Sequence, residues 1–189
     1  MRPSNMPTNC KHRSLGAPTL ALPGAVLGVL FGLAVLGGGA AWAQGPKVTP
    51  SGMEVPRYVS LKYGEVNARV GPDEAHRLLW IYKVKGLPVQ VVAETREWRR
   101  ICDPEGNLAW VHKRTTDGRR TAMRIQATPL PLRAQPKADA RISAYLAGRS
   151  TASLDRCEKG WCKLKAGGES GWAPQGEIWG AAPQVQCKE

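Results

Sequence analysis

The sequence has little that would support catalysis. Of its three histidines, His76 and His112 are not spaced as metal ligands, and it contains neither a serine-nucleophile motif nor a glycine-rich phosphate loop. The adjacent acidic residues Asp73 and Glu74 lie among turn formers, where carboxylates usually shape the turn itself. We therefore predict no catalytic residues, no metal and no cofactor, and we expect a protein that is not an enzyme.

After residue 44 the sequence also lacks phenylalanine and any sustained helical period. Apolar residues there alternate over short runs that end at Gly, Pro, Asn or Asp. This pattern predicts an all-β protein of short strands. Tryptophan supplies the largest aromatic side chains of this part: Trp80, Trp98, Trp110, Trp161, Trp172 and Trp179.

No acidic residue precedes the apolar run from Leu20 to Ala43, although three basic residues do. A basic head, an apolar middle and the ending Ala41-Trp42-Ala43 are typical of a secretory signal peptide. An uncleaved membrane anchor is the alternative, since the run could nearly span a bilayer, but Pro23 and several glycines weaken it as a permanent helix. We predict cleavage after Ala43 and a periplasmic or extracellular protein.

Cleavage would remove three of the 27 basic residues and none of the 15 acidic ones, which leaves 24 basic residues and a net charge of +9. An exported basic protein favours anionic partners such as wall polymers or phospholipid surfaces, although such a charge also serves general solubility. Export separates the protein from nucleic acid, so we expect no nucleic-acid partner. A membrane contact is expected only if the signal stays uncleaved.

Five residues of the first half recur in order in the second half. The offset is 64 for the first three pairs, 63 for the fourth and 62 for the fifth. An ordered set of matches with a slowly falling offset predicts two copies of one small domain that differ by loop deletions. The pairs are Arg69–Arg133, Pro72–Pro136, Arg77–Arg141, Trp98–Trp161 and Trp110–Trp172.

The first copy contains five predicted strands. In the first of them Val66 and Ala68 alternate with Asn67 and Arg69. The turn-rich stretch GPDEAHR follows, and the later strands are LLWIYKV (78–84), LPVQVVAET (87–95), WRRIC (98–102) and LAWVH (108–112), with the hairpin turn DPEGN before the last. So many short strands in about sixty residues predict a small barrel that covers its own edges.

These motifs resemble the bacterial SH3 domain, a small β-barrel of exported bacterial proteins. The resemblance rests on EVNARVGP (65–72), KGLPVQVV (85–92) and TREWRRICDPEGNLAWVH (95–112). The second copy matches more loosely, through LPLRAQP (130–136) and LDRCEKGWCKLKAGGESGWAP (154–174). Pro131 and Gln135 replace the family's Asn and Gly there, and Ala109 replaces a Gly in the first copy.

The resemblance covers Pro56 to about Gly180 and implies two tandem SH3-like barrels after the signal peptide. It also implies a function, because domains of this kind resemble cell-wall-targeting modules that hold peptidoglycan peptides or glycans. We expect an envelope adaptor whose partner is a cell-wall glycan or peptide. The alternative is an interaction module that binds an envelope protein with the same barrels.

Four cysteines follow the predicted signal, and an even number in an exported chain indicates disulfides. Cys157 and Cys162 flank a turn that contains Gly160, so a hairpin would bring them within bridging distance. A zinc pair is the alternative, but the spacing is long for one and no histidine is near.

Cys102 and Cys187 could form a second pair that joins the tail to the first barrel. They could equally be a buried thiol and a free thiol, since the sequence does not choose between the pairings. A catalytic Cys102 acting with His112 or His76 is a weaker alternative, because a Cys in a packed strand is usually structural.

Trp80 and Tyr82 occur only in the first copy, where the second has Ala144 and Leu146. They alternate with Ile81, so if Ile81 points inward both rings face outward beside basic residues. The alternative is that this face packs against the second barrel. The residues that we predict to bind a sugar or an anionic peptide are Trp80, Tyr82, Arg69, Arg77 and Lys83.

Composition divides the chain into five segments. They are the signal peptide (1–43), a Pro/Gly-rich flexible lead (44–56), the first barrel (57–123), a second, divergent barrel (124–181) and a tail (182–189). The stretch between the barrels is short, which favours a fixed angle between them.

Overall fold

The computed structural model describes residues 47–187, and the predicted signal peptide lies outside them. This part of the chain folds into fifteen β-strands and two 3₁₀ turns, Lys113–Thr115 and Gln175–Glu177. Residues 47–187 contain no helix with the length and hydrophobicity needed to cross a membrane. The predicted all-β class is confirmed. The strands are β1 (Lys47–Val48), β2 (Glu54–Val55), β3 (Arg57–Leu61), β4 (Val66–Arg69), β5 (Leu78–Tyr82), β6 (Pro88–Glu94), β7 (Trp98–Cys102), β8 (Leu108–His112), β9 (Thr116–Asp117), β10 (Thr121–Met123), β11 (Leu130–Arg133), β12 (Ile142–Leu146), β13 (Thr151–Glu158), β14 (Trp161–Ala166) and β15 (Glu169–Pro174).

The strands form one small hairpin and two larger antiparallel sheets. The first sheet has the order β5-β4-β8-β7-β6-β3-β9, and the second has the order β12-β11-β15-β14-β13-β10. Six strands therefore occupy the same places in both. A single bridge between Met123 and Trp179 stands where β3 pairs with β9 in the first sheet. The predicted tandem repeat is confirmed, and we call β3–β9 the first barrel and β10–β15 the second barrel.

A bulge recurs at the same place in both barrels and explains the arginine of the VNARVGP motif. The strand register shifts between Ala68 and Arg69 and, 64 positions later, immediately before Arg133. A bulge changes the direction of the side chain that follows it. Each arginine then donates from Nη1 to a carbonyl seven residues on, at 2.8 Å to His76 and 2.7 Å to Ala140. The arginine therefore closes the loop that follows the strand.

Each barrel buries its own core, because apolar residues alternate along the strands and share one face. The most buried side chains of the first core are Leu61, Val66, Ala68, Val89, Val91, Ile101, Ala109 and Val111. Those of the second are Ala122, Leu132, Leu146, Cys162, Leu164 and Ala173. Two separate cores of this size agree with two small domains rather than one larger one.

Residues 47–56 differ from the predicted flexible lead. β1 and β2 pair as a hairpin, and Val55 joins the first core. The hydroxyls of Thr49 and Ser51 donate to Glu94 Oε2 at 2.7 and 2.5 Å. The prediction of flexibility over these residues was wrong, because composition does not reveal a distant buried carboxylate that holds the hairpin.

The chain passes from one sheet to the other over residues 118–120. β9 ends in the first sheet, and β10 begins at Thr121 in the second. The predicted boundary after residue 123 therefore assigns β10 to the wrong barrel. The Thr121 hydroxyl nevertheless contacts the first barrel, at 2.8 Å from the Gly86 carbonyl and 2.7 Å from Ser60 Oγ.

A third, smaller apolar cluster lies between the barrels. Trp179, buried to 9% exposure, donates from its indole N–H to the Pro88 carbonyl at 2.9 Å. Its ring meets Tyr58 edge-on, with the ring centroids 5.8 Å apart. Trp179 comes from the end of the second barrel, whereas Pro88 and Tyr58 belong to the first. The two barrels thus share a packed and hydrogen-bonded interface.

Both disulfides that the sequence suggested are present. Cys157 and Cys162 face each other across the β13–β14 hairpin, with Cα atoms 4.0 Å apart. Cys102 in β7 is bonded to Cys187, which joins the tail to the first barrel. The fully buried Cys102 is therefore not a free thiol, and the hypothesis of a catalytic thiol there was wrong.

Hydrogen bonds also hold the tail on the first barrel. The side-chain amide of the buried Gln90 donates to the carbonyl of Gln184 at 2.8 Å. Its oxygen accepts the backbone N–H of Gln186 at 2.9 Å. One buried amide thus satisfies two backbone groups of a segment without regular structure.

Candidate functional site

A cleft of about 310 Å³ opens where the two barrels meet. Its walls are mainly apolar and aromatic, which is typical of a site that binds a small ligand. The first barrel contributes Trp80, Tyr82, Val84, Leu87, Asp103, Pro104 and Glu105, and the second contributes Met123, Ile125 and Arg149. We call this site the interbarrel cleft.

Trp80 and Tyr82 reach this cleft because their side chains lie on the face of β5 that packs towards the first core. Ile81 is 39% exposed, whereas Tyr82 is 9% exposed. The register explains this, because Tyr82 lies opposite Val66 and Trp80 lies opposite Ala68, and both partners belong to the core. The predicted outward direction of both rings depended on Ile81 pointing into the core, and that assumption was therefore wrong. Cross-strand pairing, rather than alternation within one strand, fixes the direction of these rings.

The buried Asp103 carboxylate fixes the ring of Tyr82 and the hairpin turn beside the cleft. The Tyr82 hydroxyl donates to Asp103 Oδ2 at 3.0 Å. Asp103 Oδ1 accepts the backbone N–H groups of Glu105 and Asn107, both at 2.9 Å. Burial, together with the Asp103 charge, raises the pKa of Tyr82. Tyr82 therefore stays a neutral hydrogen-bond donor, and its ring meets Trp80 edge-on at 5.9 Å.

The other predicted binding residues lie elsewhere. The Arg69 guanidinium donates a hydrogen bond to the His76 carbonyl, and Lys83 forms an ion pair with the exposed Glu65. Arg77 is exposed and does not line the interbarrel cleft. The structure thus brings together the two predicted aromatic residues but separates them from the predicted basic ones.

A second kind of groove occurs twice, once in each barrel. The groove of the first barrel encloses about 270 Å³, and that of the second about 360 Å³. Seven lining positions correspond through the repeat: Val66, Asn67, Arg69, Glu74, Trp98, His112 and Thr115 in the first, and Leu130, Pro131, Arg133, Ala138, Trp161, Pro174 and Glu177 in the second. We call these the paired grooves.

The bacterial SH3 domain family matches the chain twice, over residues 62–118 and 126–180. These segments cover more than half of the 189 residues. The chain belongs to the bacterial SH3 domain family. Domains of this family generally bind cell-wall components.

Two solved structures that match the chain are similar to it at low sequence identity. No curated protein matches the chain. Among solved structures, NlpC2 from Trichomonas vaginalis is 12% identical with a TM-score of 0.33, over 69% of this chain and 50% of that one. NlpC1 from the same organism is 13% identical with a TM-score of 0.30, over 70% of this chain and 48% of that one. The chain thus spans about half the length of these structures.

The two SH3 domains share the Arg and Trp of their grooves but differ in the rest. In the first, His112 packs on Trp98 at a ring distance of 5.3 Å and accepts the Arg114 backbone N–H at Nδ1. The second has Pro174 in place of His112 and Ala138 in place of Glu74. The first groove therefore suits polar groups, and the second suits a more apolar surface.

Several residues that shape these sites were not predicted from the sequence. Trp179 carries no local pattern that reveals its place between the barrels. Arg149 lines the interbarrel cleft from a turn of the second barrel. The repeat offset of 63 would have drawn attention to Arg149, because it aligns this residue with the turn residue Gly86.

No group of three or more His, Cys, Asp or Glu side chains within residues 47–187 is arranged to hold a metal ion.

Proposed function

We propose that the protein is exported and acts as a non-enzymatic binding protein of the cell envelope, whose two SH3 domains hold peptidoglycan or another anionic wall component. The observation that carries this proposal is the groove that occurs twice, with seven matching lining positions and a Trp at the same place in both. A repeated groove suits a ligand that repeats itself, as a wall polymer does.

The connection between the barrels supports the same function. Both domains belong to one compact unit, joined by Trp179 and by the disulfide of Cys102 and Cys187. Two weak sites on one unit bind a polymer far more tightly than either alone, because the second binding step is intramolecular. The basic charge adds attraction to an anionic polymer without specifying it.

The test is co-sedimentation of the purified protein with peptidoglycan across a salt series. We expect binding to persist at about 0.5 M salt, where charges are screened within a few ångströms. Trp161→Ala in the second groove and Arg114→Ala in the first should each reduce the affinity by about tenfold, since each removes one of two linked sites. Tyr145→Ala is the matched control, because Tyr145 is 64% exposed on β12 and lines neither groove.

Three outcomes would contradict the proposal. Binding that disappears as salt rises would mean that only net charge attracts the protein to the wall. The absence of binding at every salt concentration would direct the search to an envelope protein as the partner. Equal losses for the groove variants and for Tyr145→Ala would exclude the paired grooves as the binding surface.

A further inference from the structure

Arg149 has a backbone conformation that favours glycine. Its φ is +56°, in the left-handed region that disfavours a side chain. The position 63 residues earlier in the first barrel is Gly86, with a φ of +76°. The backbone pairing confirms this equivalence, because Leu61 N–H donates to the Leu87 carbonyl and, with the same offset, Arg124 N–H donates to Ser150. The first barrel places glycine in this turn, and the second places an arginine.

The fold itself gives no reason for this arginine. The Arg149 side chain is exposed and has no hydrogen bond or ion pair with any residue in 47–187. Its backbone N–H donates to the Gln126 carbonyl, a bond that glycine would make equally well. Backbone strain that no contact of the side chain offsets is typical of a functional position.

The surroundings of Arg149 indicate what it could bind. Arg149 is the one basic side chain among the described residues that line the interbarrel cleft. The Asp103 carboxylate in the same lining is already committed to Tyr82 and to its own turn. Arg149 is therefore an unpaired cation beside an apolar cavity walled by Trp80 and Ile125.

The charge of the lining favours a carboxylate over a phosphate. One guanidinium can hold one planar carboxylate through two parallel hydrogen bonds. A doubly charged phosphate would meet a single cation here and the exposed Glu105 carboxylate in the same lining. Glu105 can instead accept hydrogen bonds from amide or amine groups of the same ligand.

We propose that the interbarrel cleft binds the free C-terminal carboxylate of a short peptide with small apolar side chains. Arg149 pairs with the carboxylate, and Trp80 and Ile125 contact the apolar body. A volume of about 310 Å³ accommodates roughly two small residues, at the lower end of known ligand sites. This inference rests on the proposed function, because wall peptides are one source of such ends.

The test uses two soluble probes, N-acetyl-Ala-Ala with a free carboxylate and the same dipeptide as its C-terminal amide. We expect calorimetry to show at least tenfold tighter binding of the acid, and Arg149→Gly to abolish that preference. Because glycine suits the left-handed conformation, Arg149→Gly should also keep or raise the melting temperature. Trp80→Ala should weaken binding of both probes.

A matched control is available at Lys159. Its φ is +49°, and among residues 47–187 it is the one other non-glycine residue with a positive φ. It lies in the β13–β14 turn, away from the residues that line the cleft. Lys159→Gly therefore removes the same charge and relieves the same conformation, and it should leave probe binding unchanged. Arg149→Asn, which also tolerates this conformation, should behave like Arg149→Gly.

The outcomes separate this inference from the proposed function. If Arg149→Gly binds the acid probe as tightly as wild type, or if the wild type binds neither probe, the cleft assignment fails, whether or not peptidoglycan sediments the protein. If the acid probe binds through Arg149 but peptidoglycan never sediments the wild type, the cleft assignment holds and the wall-binding function fails.

Discussion

At the scale of single residues, Glu94 is a buried carboxylate with four hydrogen-bond donors around it. Its side chain is 1% exposed and accepts hydrogen bonds from Thr49, Ser51, Arg57 and Arg99. Burial alone would raise the pKa of this carboxyl group, but the four donors outweigh burial and lower the pKa to about 2. The charged form of Glu94 therefore stabilises the fold and ties the N-terminal hairpin to the first barrel.

This network predicts a specific pH dependence. Since the folded-state pKa lies below the ordinary value of 4.5, the stabilisation is fully present above pH 4.5 and is lost as pH falls towards 2. The shift corresponds to about 3 kcal/mol. We expect Glu94→Gln to lower the free energy of unfolding by about this amount at pH 7, and the difference from wild type to shrink below pH 4.5.

Urea unfolding at several pH values measures both effects. Glu97→Gln is the control, because Glu97 is 51% exposed and its carboxylate contacts only the surface groups of Lys113 at 3.3 Å and His112 at 3.9 Å, which should contribute little. A Glu94→Gln variant that is as stable as Glu97→Gln at pH 7 would show that the network contributes nothing to stability.

The role of one arginine and the direction of one tryptophan could not be predicted from the sequence. The arginine of the VNARVGP motif was read as a binding residue, but Arg69 and Arg133 make the same loop-closing bond in the two barrels. From the sequence alone, an arginine that recurs in both copies could either bind a ligand or close a loop. The direction of Trp80 depends on the strand opposite, and alternation within β5 alone could not supply it.

At the scale of elements, the hairpin strands were predictable and the short or irregular strands were not. β7 and β8 match their predicted bounds, because both alternate clearly and the DPEGN turn fixes their register. β3 was not predicted, since its last three residues are all buried and it shows no alternation. β9 has only two residues and depends on pairing with β3 rather than on its own sequence.

The β13–β14 hairpin allows a prediction about its disulfide. The sequence separation of Cys157 and Cys162 is five residues, and a loop this short should contribute about 2 kcal/mol on the chain-entropy model. We therefore expect the double variant Cys157→Ala, Cys162→Ala to lower the free energy of unfolding by about that amount. Equilibrium denaturation under non-reducing conditions measures the change, and a variant as stable as wild type would contradict the prediction.

At the scale of the whole molecule, the chain is more than two family domains in a row. The sequence predicted the two barrels, because each carries the motifs of its family. Their arrangement depends on Trp179 packing against Tyr58 and Pro88 and on a tail held by Gln90. No local pattern encodes these contacts. The interbarrel cleft exists only because of them, so its lining could not be derived from the sequence, although packing of the Trp80 and Tyr82 face against the second barrel was one of the alternatives.

The long disulfide should therefore contribute more than the hairpin disulfide. Cys102 and Cys187 are 85 positions apart, and a loop of that length corresponds to about 4.5 kcal/mol on the chain-entropy model. We expect the double variant Cys102→Ala, Cys187→Ala to lose roughly twice the stability of the double variant at 157 and 162. Because the tail also packs on Trp179, the same variant should increase hydrogen exchange at the Gln186 backbone amide, which donates to Gln90. Equal losses for the two double variants, with the Gln186 amide still protected, would mean that packing rather than the disulfide holds the tail on the first barrel.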